Sequence, residues 1–527
     1  MRRPWTEVAA AKRAEREAHL KNHSRCRIDP SAHAQITQID NVAALTDLLE
    51  KGSISAEDVV VAYIDKACQA QEETNCLTEI CFDDAIAQAR ALDAFRKKEG
   101  RLKGPLHGVP MSLKDQFNIK GFDSTLGYIG RAFKPADSDA LLVHVLKELG
   151  AVIIAKTNLP QSIMWCETEN PIWGLTTHPK NSKLTPGGSS GGEAALLALQ
   201  GSMVGWGTDI GGSIRIPSHM NGLWGFKPSS GRLSYQGVEV STDGQQHVPS
   251  AVGPMARSLD SLIITTKAVI NMGLWNLDAL LPPVPWAQDV LDDFSQKRLV
   301  IGAMLDDGVV KVHPPIARVF EETVSRLRKA GHEIVEWDTS LNTECISIMD
   351  QYYTADGGED IRREVTEGGE PFLPHVEALV NRAPAISVYE YWQLNKKKIA
   401  AQQAYLQMWN NARAPSERPV DILLVPTMPH TAVPHRSCRW VGYTKLFNFL
   451  DYPALSFPAG KVTKGLDPDV LPEVEPRNPL DAWNWQTYDL DLMDGLDIGL
   501  QIVGRRLEEE KVLGAALQVR RLMESLP

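Results

Sequence analysis

Three short apolar segments constrain the fold of this chain more than any other feature. They are 108–115 (GVPMSLKD), 151–157 (AVIIAKT) and 202–209 (SMVGWGTD), and helical segments such as SDALLVHVLKELG separate them. Short apolar runs that alternate with amphipathic helices are typical of domains built on a parallel or mixed sheet. We therefore predict an α/β fold, with a central mixed β-sheet covered by helices on both faces.

The rest of the chain extends this pattern without marking a second independent domain. A helical segment, 1–60, is expected to pack on a main domain that spans 61–527, and 306–420 is expected to be a mostly helical insertion or cap. The Pro-, Asp- and Trp-rich segment 462–490 predicts a surface loop. Further strands are predicted within the apolar runs 298–305, 421–427, 452–460 and 498–506.

Composition and charge exclude several classes of protein. The 527 residues are 43% hydrophobic and 23% charged, which is typical of a globular protein. A net charge of −11 disfavours nucleic acid as a partner. We see neither a signal peptide nor an apolar run long enough for a transmembrane segment. Seven cysteines, from Cys26 to Cys438, lack CxxC pairing, which predicts reduced thiols and a cytoplasmic location.

Two glycine- and serine-rich stretches lie close together, at 185–200 (TPGGSSGGEAALLALQ) and 207–218 (GTDIGGSIRIPS). Ser190 and Glu193 fit the S-x-x-E capping box, so the first loop is expected to open a helix. Small residues in the second loop allow several backbone N–H groups to converge on one point, as an oxyanion requires. Neither stretch has the spacing of a nucleotide-binding motif. A simple tight turn remains the alternative for each loop.

A serine at such a point becomes a nucleophile only when a base takes its proton. His107 and His219 lie near the two stretches in sequence, but neither accompanies a GxSxG motif. Lys114 ends the first predicted strand, where burial would favour its neutral form. A local ion pair with Asp115 is the alternative interpretation of that lysine.

Three residues of one loop, His430, His435 and Cys438, could suggest a metal site. No CxxC or HExxH pattern accompanies them, and a loop at the surface or at the rim of a pocket is the simpler interpretation. We therefore expect no metal and no cofactor.

Five motifs occur in one order along the chain: GPLHGVPMSLKD, TNLPQS, PGGSSGGEAAL, GTDIGGSIRIPS and GFKPSSGRLS. Together they resemble the amidase signature family, and more narrowly its fungal acetamidase-type branch. The resemblance implies that Lys114 is the base, that Ser189 is a bridging serine held by a cis peptide, and that Ser213 is the nucleophile. It also implies that Ser190 hydrogen-bonds the lysine.

Backbone N–H groups around this nucleophile are expected to form the oxyanion hole, contributed by Ile210, Gly211, Gly212 and Ser213. Asp209 and Arg215 are expected to brace the loop through an ion pair. The resemblance also places substrate near QSIMWCETEN, so Ile163, Met164 and Trp165 are candidates for the pocket, followed by Cys166 and Glu167. Core packing is the alternative for these residues, and for Trp206.

The function that this resemblance implies is hydrolysis of a carboxamide to a carboxylate and ammonia, with a primary aliphatic or aryl amide as substrate. One alternative is an N-acyl amide or ester hydrolase with the same mechanism and a larger substrate. A subunit of a glutamine amidotransferase is disfavoured, because the chain resembles the stand-alone branch. A catalytically idle binding or scaffold protein is the alternative from a different class. The resemblance also suggests a homodimer.

Overall fold

The computed structural model describes residues 3–23, 30–469 and 475–524. Cys26 lies outside these residues, and the six cysteines within them are free thiols. None of the described helices combines the length and the apolar character that crossing a membrane requires.

The described helices and strands alternate along most of the chain. The helices are α1 Trp5–His23, α2 Pro30–Gln38, α3 Val42–Lys51, α4 Ala56–Thr74, α5 Phe82–Glu99, α6 Leu141–Glu148, α7 Gly191–Ala198, α8 Arg215–Asn221, α9 Leu259–Ile270, α10 Gln288–Phe294, α11 Pro314–Lys329, α12 Asn342–Tyr352, α13 Glu359–Gly368, α14 Pro374–Val380, α15 Val388–Asn411, α16 Gly442–Phe449, α17 Pro479–Gln486, α18 Leu490–Met493 and α19 Glu509–Glu524. The strands are β1 Leu77–Ile80, β2 Pro110–Lys114, β3 Val152–Thr157, β4 Glu169–Asn170, β5 Gly174–Leu175, β6 Val204–Asp209, β7 Trp224–Lys227, β8 Ala251–Ala256, β9 Val300–Ala303, β10 Glu333–Glu336, β11 Ile422–Pro426, β12 Ala454–Lys461 and β13 Asp497–Val503.

One large mixed sheet organises the molecule. Its eleven strands have the order β1-β3-β2-β6-β8-β7-β12-β13-β11-β9-β10. The pairs of β2 with β3 and with β6 are parallel, whereas the central strands β8, β7, β12 and β13 pair antiparallel. Helices flank this sheet, among them α8 against β12 and β13 and α11 against β12. The predicted α/β fold with a mixed sheet is confirmed.

The three strands predicted first lie side by side and set the position of the site. Every residue of β2, β3 and β6 is buried, which explains their almost continuous apolar sequences. Because the three strands are parallel neighbours, their carboxyl ends meet at one edge of the sheet. Lys114, Thr157 and Asp209 therefore end adjacent strands, and Lys114 is the register partner of Thr157.

The N-terminal helices pack on the main body through polar contacts as well as apolar ones. On α1, Arg16 donates from Nη1 to the carbonyl of Leu77 on β1 at 2.7 Å, and buried Lys12 pairs with Asp123 at 3.0 Å. On α4, the capping box of Ser55 and Asp58 fixes the first turn. The charges of Arg16 and Lys12 can be buried because each side chain has a hydrogen-bond or ion-pair partner.

The stretch 306–420 contains α11 to α15, together with β10 at the edge of the sheet. The strand pairs in parallel with β9, and α11 packs against the main sheet. The stretch thus extends the sheet and also carries helices α12 to α15 beyond it.

Six of the described strands, β1, β4, β5, β7, β8 and β10, were not predicted from the sequence, and α17 falls where a loop was predicted. The strands β1, β7 and β10 have only four residues each, and β8 contains Gly253 and Pro254. The prediction of a loop across 462–490 is wrong at α17. There the Asn478 side chain accepts hydrogen bonds from two backbone N–H groups, and Pro479 takes the first helical position, where it needs no hydrogen-bond acceptor.

Candidate active site

Lys114 lies at the end of β2 with no exposed surface. Its Nζ donates to Ser189 Oγ at 2.7 Å and to Thr208 Oγ1 at 2.9 Å. Burial lowers the pKa of Lys114 to about 7, although the carboxylates of Asp209 and Glu193 favour its charged form. The amine is therefore half neutral near pH 7, as a base in this position must be.

Ser189 follows a cis peptide bond between Gly188 and Ser189. Gly188 is required here, since a Cβ at this position would lie 2.5 Å from the carbonyl oxygen of Glu167. The next residue links the two glycine-rich loops, because the Ser190 N–H donates to the carbonyl of Ser213 at 3.1 Å. The two stretches are thus one structural unit.

The structure does not place Ser190 as predicted. Its buried Oγ has no hydrogen-bond partner among the described residues, and Thr208 on β6 contacts the lysine instead. Thr208 in turn donates to Gln116 Oε1 at 2.6 Å. Sequence reasoning missed this threonine, although its place next to Asp209 at the end of a buried strand was a usable signal.

The predicted capping box of Ser190 and Glu193 is also wrong. The backbone N–H of Ser190 is already bonded to Ser213, so it is not available to Glu193. The carboxyl of Glu193 instead accepts hydrogen bonds from Ser112 and, at 2.6 Å, from Thr157. Burial raises the pKa of Glu193 to about 7. This side chain ties α7 to the middle of β2 and to the end of β3.

The loop before Ser213 turns sharply at Gly212, which has a φ of +133°. A Cβ there would also lie 2.6 Å from Ile216 Cδ1. The Gly212 N–H donates to Asp209 Oδ1 at 2.8 Å, so it does not point into an oxyanion hole. Within the described chain, the N–H groups of Gly211 and Ser213 donate to no acceptor. Gly212 is therefore removed from the predicted donors of the oxyanion hole.

Two side chains from elsewhere in the chain orient this loop. Tyr353 donates from its hydroxyl to the carbonyl of Ile210 at 3.0 Å, and Thr444 donates to the carbonyl of Gly211 at 2.6 Å. In a trans peptide the C=O and N–H groups point in opposite directions. Tyr353 therefore holds the Gly211 N–H on the side away from its own ring. No sequence signal linked these distant residues to the loop.

Asp209 and Arg215 form a fully buried ion pair, as predicted from the sequence. Arg215 Nε and Nη2 donate to the two carboxylate oxygens at 3.0 and 2.9 Å. Burial alone would raise the pKa of Asp209, but the Arg215 guanidinium holds that pKa well below its usual range. Asn448 donates to Asp209, and Gln501 accepts from Arg215. This network fixes both ends of the nucleophile loop.

A cavity of about 400 Å³ opens beside Ser213, which retains 8% of its surface exposed. Ile163, Met164, Trp165 and Cys166 all line it. Cys166 also contacts Cys438, with 2.6 Å between the two Sγ atoms.

The other two candidates for the pocket lie outside this cavity. Glu167 accepts backbone hydrogen bonds from Arg436 and Cys438, so its role is to hold the neighbouring loop. Trp206 is buried in the core on β6. The packing alternative therefore applies to these two residues.

Both histidines near the motifs contact backbone groups, and within the described chain neither has a hydrogen bond to Ser213. Both ring nitrogens of His219 contact backbone groups, of Gly499 and His430. His107 accepts the N–H of Lys103 at 3.0 Å. Around His430 and His435, as in the rest of the described chain, no three His, Cys, Asp or Glu side chains are grouped as a metal ion requires.

Comparisons with known proteins identify the family of this chain. The sequence profile of the family described as Amidase matches residues 58–513. Amidase 1 of Gibberella moniliformis (strain M3125 / FGSC 7600) is 64% identical over 525 residues, which cover 99% of this chain and 100% of that protein. The acetamidase of Emericella nidulans is 36% identical over 544 residues, covering 99% of each chain. A solved structure, of a fatty acid amide hydrolase, is 32% identical with a TM-score of 0.89, and the match covers 94% of this chain and 87% of that one.

The fold and these relatives together define a hydrolase of the amidase class. The chain belongs to the amidase signature family, with fungal amidases and acetamidases among its relatives. It is therefore an enzyme that acts on the carbon–nitrogen bonds of amides.

Proposed function

We propose that this amidase works through an acyl-enzyme, with Ser213 as nucleophile, Ser189 as proton bridge and Lys114 as base. The observation that carries the proposal is the 2.7 Å hydrogen bond between Lys114 Nζ and Ser189 Oγ. Lys114 makes this bond at the end of β2, where its side chain is fully buried. It is supported by the hydrogen bond from the Ser190 N–H to Ser213, which joins the loop of the bridge to the loop of the nucleophile.

The proton moves in two coupled steps. As Ser213 Oγ attacks the amide carbon, its proton passes to Ser189 Oγ, and the proton of Ser189 passes to neutral Lys114 Nζ. Reversal of the same path delivers a proton to the leaving nitrogen, and the carbon–nitrogen bond breaks. Water then attacks the acyl group on Ser213, with its proton taken along the same route.

The oxyanion of the tetrahedral intermediate is bound, in this proposal, by the N–H groups of Gly211 and Ser213, with Ile210 as the remaining candidate. Removing one such donor in a hydrolase typically costs about 3 to 4 kcal/mol in the transition state. Gly212 has a different role, since its N–H holds Asp209 and so fixes the turn.

The substrate that we propose is a primary aliphatic or aryl amide, whose acyl group packs on Ile163, Met164 and Trp165. A cavity of about 400 Å³ is within the range that accepts a drug-sized ligand. This volume favours a second candidate, a larger N-acyl amide or ester. The 32% identity with a fatty acid amide hydrolase favours it too.

Release of ammonia from a panel of primary amides, from acetamide to benzamide and indole-acetamide, tests the proposal. We expect release by the wild-type protein and none by Ser213→Ala. The matched control is Ser340→Ala, the same chemical change at an exposed turn, which should retain full activity. Hydrolysis by Ser213→Ala at the wild-type rate would refute the role of Ser213. Hydrolysis of only secondary amides or esters would select the second candidate.

A cytoplasmic location and a homodimer stay proposals for this chain. Fractionation of cells that express it tests the first, and light scattering on the purified protein tests the second. A monomeric mass at micromolar concentration would contradict the dimer.

A further inference from the structure

We propose that Arg382 and Arg439 form an anion subsite at the rim of the cavity, and that the preferred amides carry a carboxylate remote from the scissile bond. This inference rests on the proposed function, because it names the substrate class of the same cavity.

The charges that line the cavity do not balance. Three cationic side chains, Arg382, Arg439 and Lys445, line it together with a single carboxylate, Asp350. Lys445 is buried and pairs closely with Asp350, at 2.5 Å. Arg382 is 4.0 Å from the same carboxylate oxygen and keeps 49% of its side chain exposed. One carboxylate is thus shared between two cations.

The third cation has no carboxylate partner among the residues that the structure describes. Arg439 is exposed, and its guanidinium lies 5.6 Å from the centre of the Trp483 ring. No ion pair of Arg439 occurs within the described chain. A guanidinium presents paired N–H donors whose geometry matches a carboxylate, and stacking on a ring leaves these donors free at its edge. Arg439 can therefore hold an anionic group in two parallel hydrogen bonds.

The excess of positive charge is local. The whole chain carries a net charge of −11. The charged side chains that line this cavity, three cations and one carboxylate, have a net charge of about +2. An anionic amide would be repelled by most of the surface and attracted at this rim, which concentrates it at the opening.

Apart from the Lys445–Asp350 pair and Ser213, the buried side chains of the lining are mainly apolar. Trp440, Leu379 and Ile216 are buried there, and half-buried Trp165 lines the same cavity. A carboxylate would lose its hydration if it entered there, at a cost of several kcal/mol. The complementary ligand is therefore elongated, with its amide at Ser213, an apolar or aromatic body between the tryptophans, and its carboxylate at the arginines.

The test compares matched pairs of aryl amides. Each pair has a carboxylate on a spacer of zero, one or two methylene groups, such as 4-carbamoylbenzoate, and a neutral partner that ends in methyl, such as 4-methylbenzamide. We expect the wild-type kcat/KM to favour the carboxylate in the best pair by about 10-fold at low salt. The preference should lie in KM and should shrink as ionic strength rises.

Variants assign this preference to the two residues. Arg439→Gln and Arg382→Gln should each lower the ratio of the two kcat/KM values about 3-fold, as partly exposed charge pairs do, and the double variant should bring it close to one. The control is Arg436→Gln, an exposed arginine that pairs with Glu169 and does not line the cavity. It should keep the wild-type ratio.

Binding to Ser213→Ala, measured by calorimetry, separates this inference from the catalytic one. A tighter Kd for the carboxylate member, lost in the Arg382→Gln, Arg439→Gln background, supports the subsite even if no amide is hydrolysed. Equal binding of the two members, or a preference that survives in the double variant, overturns the inference. Loss of turnover alone counts against the proposed function and leaves this binding result decisive.

Discussion

The pH dependence of acylation follows from the burial of Lys114. Burial lowers its pKa from an ordinary 10.5 to about 7, a difference worth about 5 kcal/mol at 1.36 kcal/mol per pH unit. About half of the amine is neutral at pH 7, compared with less than about one part in a thousand for an ordinary lysine. The environment of β2 therefore supplies roughly a thousandfold more base at neutral pH.

The expected profile is a single rise of kcat/KM. The rate of acylation should increase about tenfold from pH 5 to pH 6, level off above about pH 7.5, and stay flat to pH 9. Initial rates of ammonia release from benzamide, measured well below KM at constant ionic strength, give this profile directly. An increase that continued to pH 10 would refute the lowered pKa, and with it the role of Lys114 as the neutral base.

A second group with a similar pKa requires a control. Glu193 is also buried with a pKa raised to about 7, and it accepts hydrogen bonds from Ser112 on β2 and Thr157 on β3. If the titration of Lys114 controls the pH profile, the Glu193→Gln variant should still show the rise of kcat/KM near pH 7. Lys114→Met should remove the rise together with most of the activity. If the rise of kcat/KM is absent in Glu193→Gln, where Lys114 is intact, the titrating group is the carboxyl of Glu193.

The same burial gives a stability test. The folded pKa of Lys114 lies below the unfolded one, so the unfolded chain binds more protons between about pH 7 and pH 10.5. Below pH 7 the buried lysine is charged, and this charge lowers the free energy of unfolding by its full amount. The destabilisation disappears as the pH rises towards 10.5, because the unfolded chain then loses its proton as well. Lys114→Met should accordingly be no less stable than wild type at pH 6, so its loss of activity cannot be ascribed to unfolding.

Three further substitutions test the surroundings of Lys114, Ser189 and Ser213. Thr208→Val removes a hydrogen-bond partner of Lys114, so we expect kcat to fall 10-fold or more in steady-state assays. Thr208→Ser is the conservative control. An unchanged kcat in Thr208→Val would contradict the role of this hydroxyl. Arg215→Met leaves the buried Asp209 carboxylate unpaired and should lower the free energy of unfolding by about 3 to 5 kcal/mol in urea titrations, whereas a loss below about 1 kcal/mol would mean that the pair does not brace the loop. Gly212→Ala places a Cβ against Ile216 at a φ of +133° and should abolish acylation while the protein stays folded by circular dichroism; a variant that keeps half the wild-type rate would show that the turn is not required.

The sequence predicted the parts of the site that lie in local motifs. Lys114 ends a mostly apolar strand, and both serines lie in glycine-rich stretches, so the neighbouring residues indicated these three positions. The parallel order of β2, β3 and β6 then brings their ends to one edge. The α/β fold followed from the same alternation of strands and helices.

The missed contributions come from residues whose partners are distant in the chain. Tyr353 and Thr444 orient the loop around Gly211 from 143 and 233 positions away, and nothing in their local sequence indicates this contact. Competition for hydrogen bonds explains the wrong capping box, because the Ser190 N–H bonds to Ser213 rather than to Glu193. Short strands such as β10 gain their stability from pairing rather than from their own residues.

The proposed mechanism requires that Ser213 become acylated in a reaction that depends on Lys114. Mass spectrometry of the protein after brief exposure to an active-site acylating or phosphonylating reagent at pH 7.5 tests it most directly. We expect one adduct, on the peptide that contains Ser213, with labelling at least about 100-fold slower in Lys114→Met. An adduct on a different residue, or labelling of Ser213 at an unchanged rate in Lys114→Met, would contradict it.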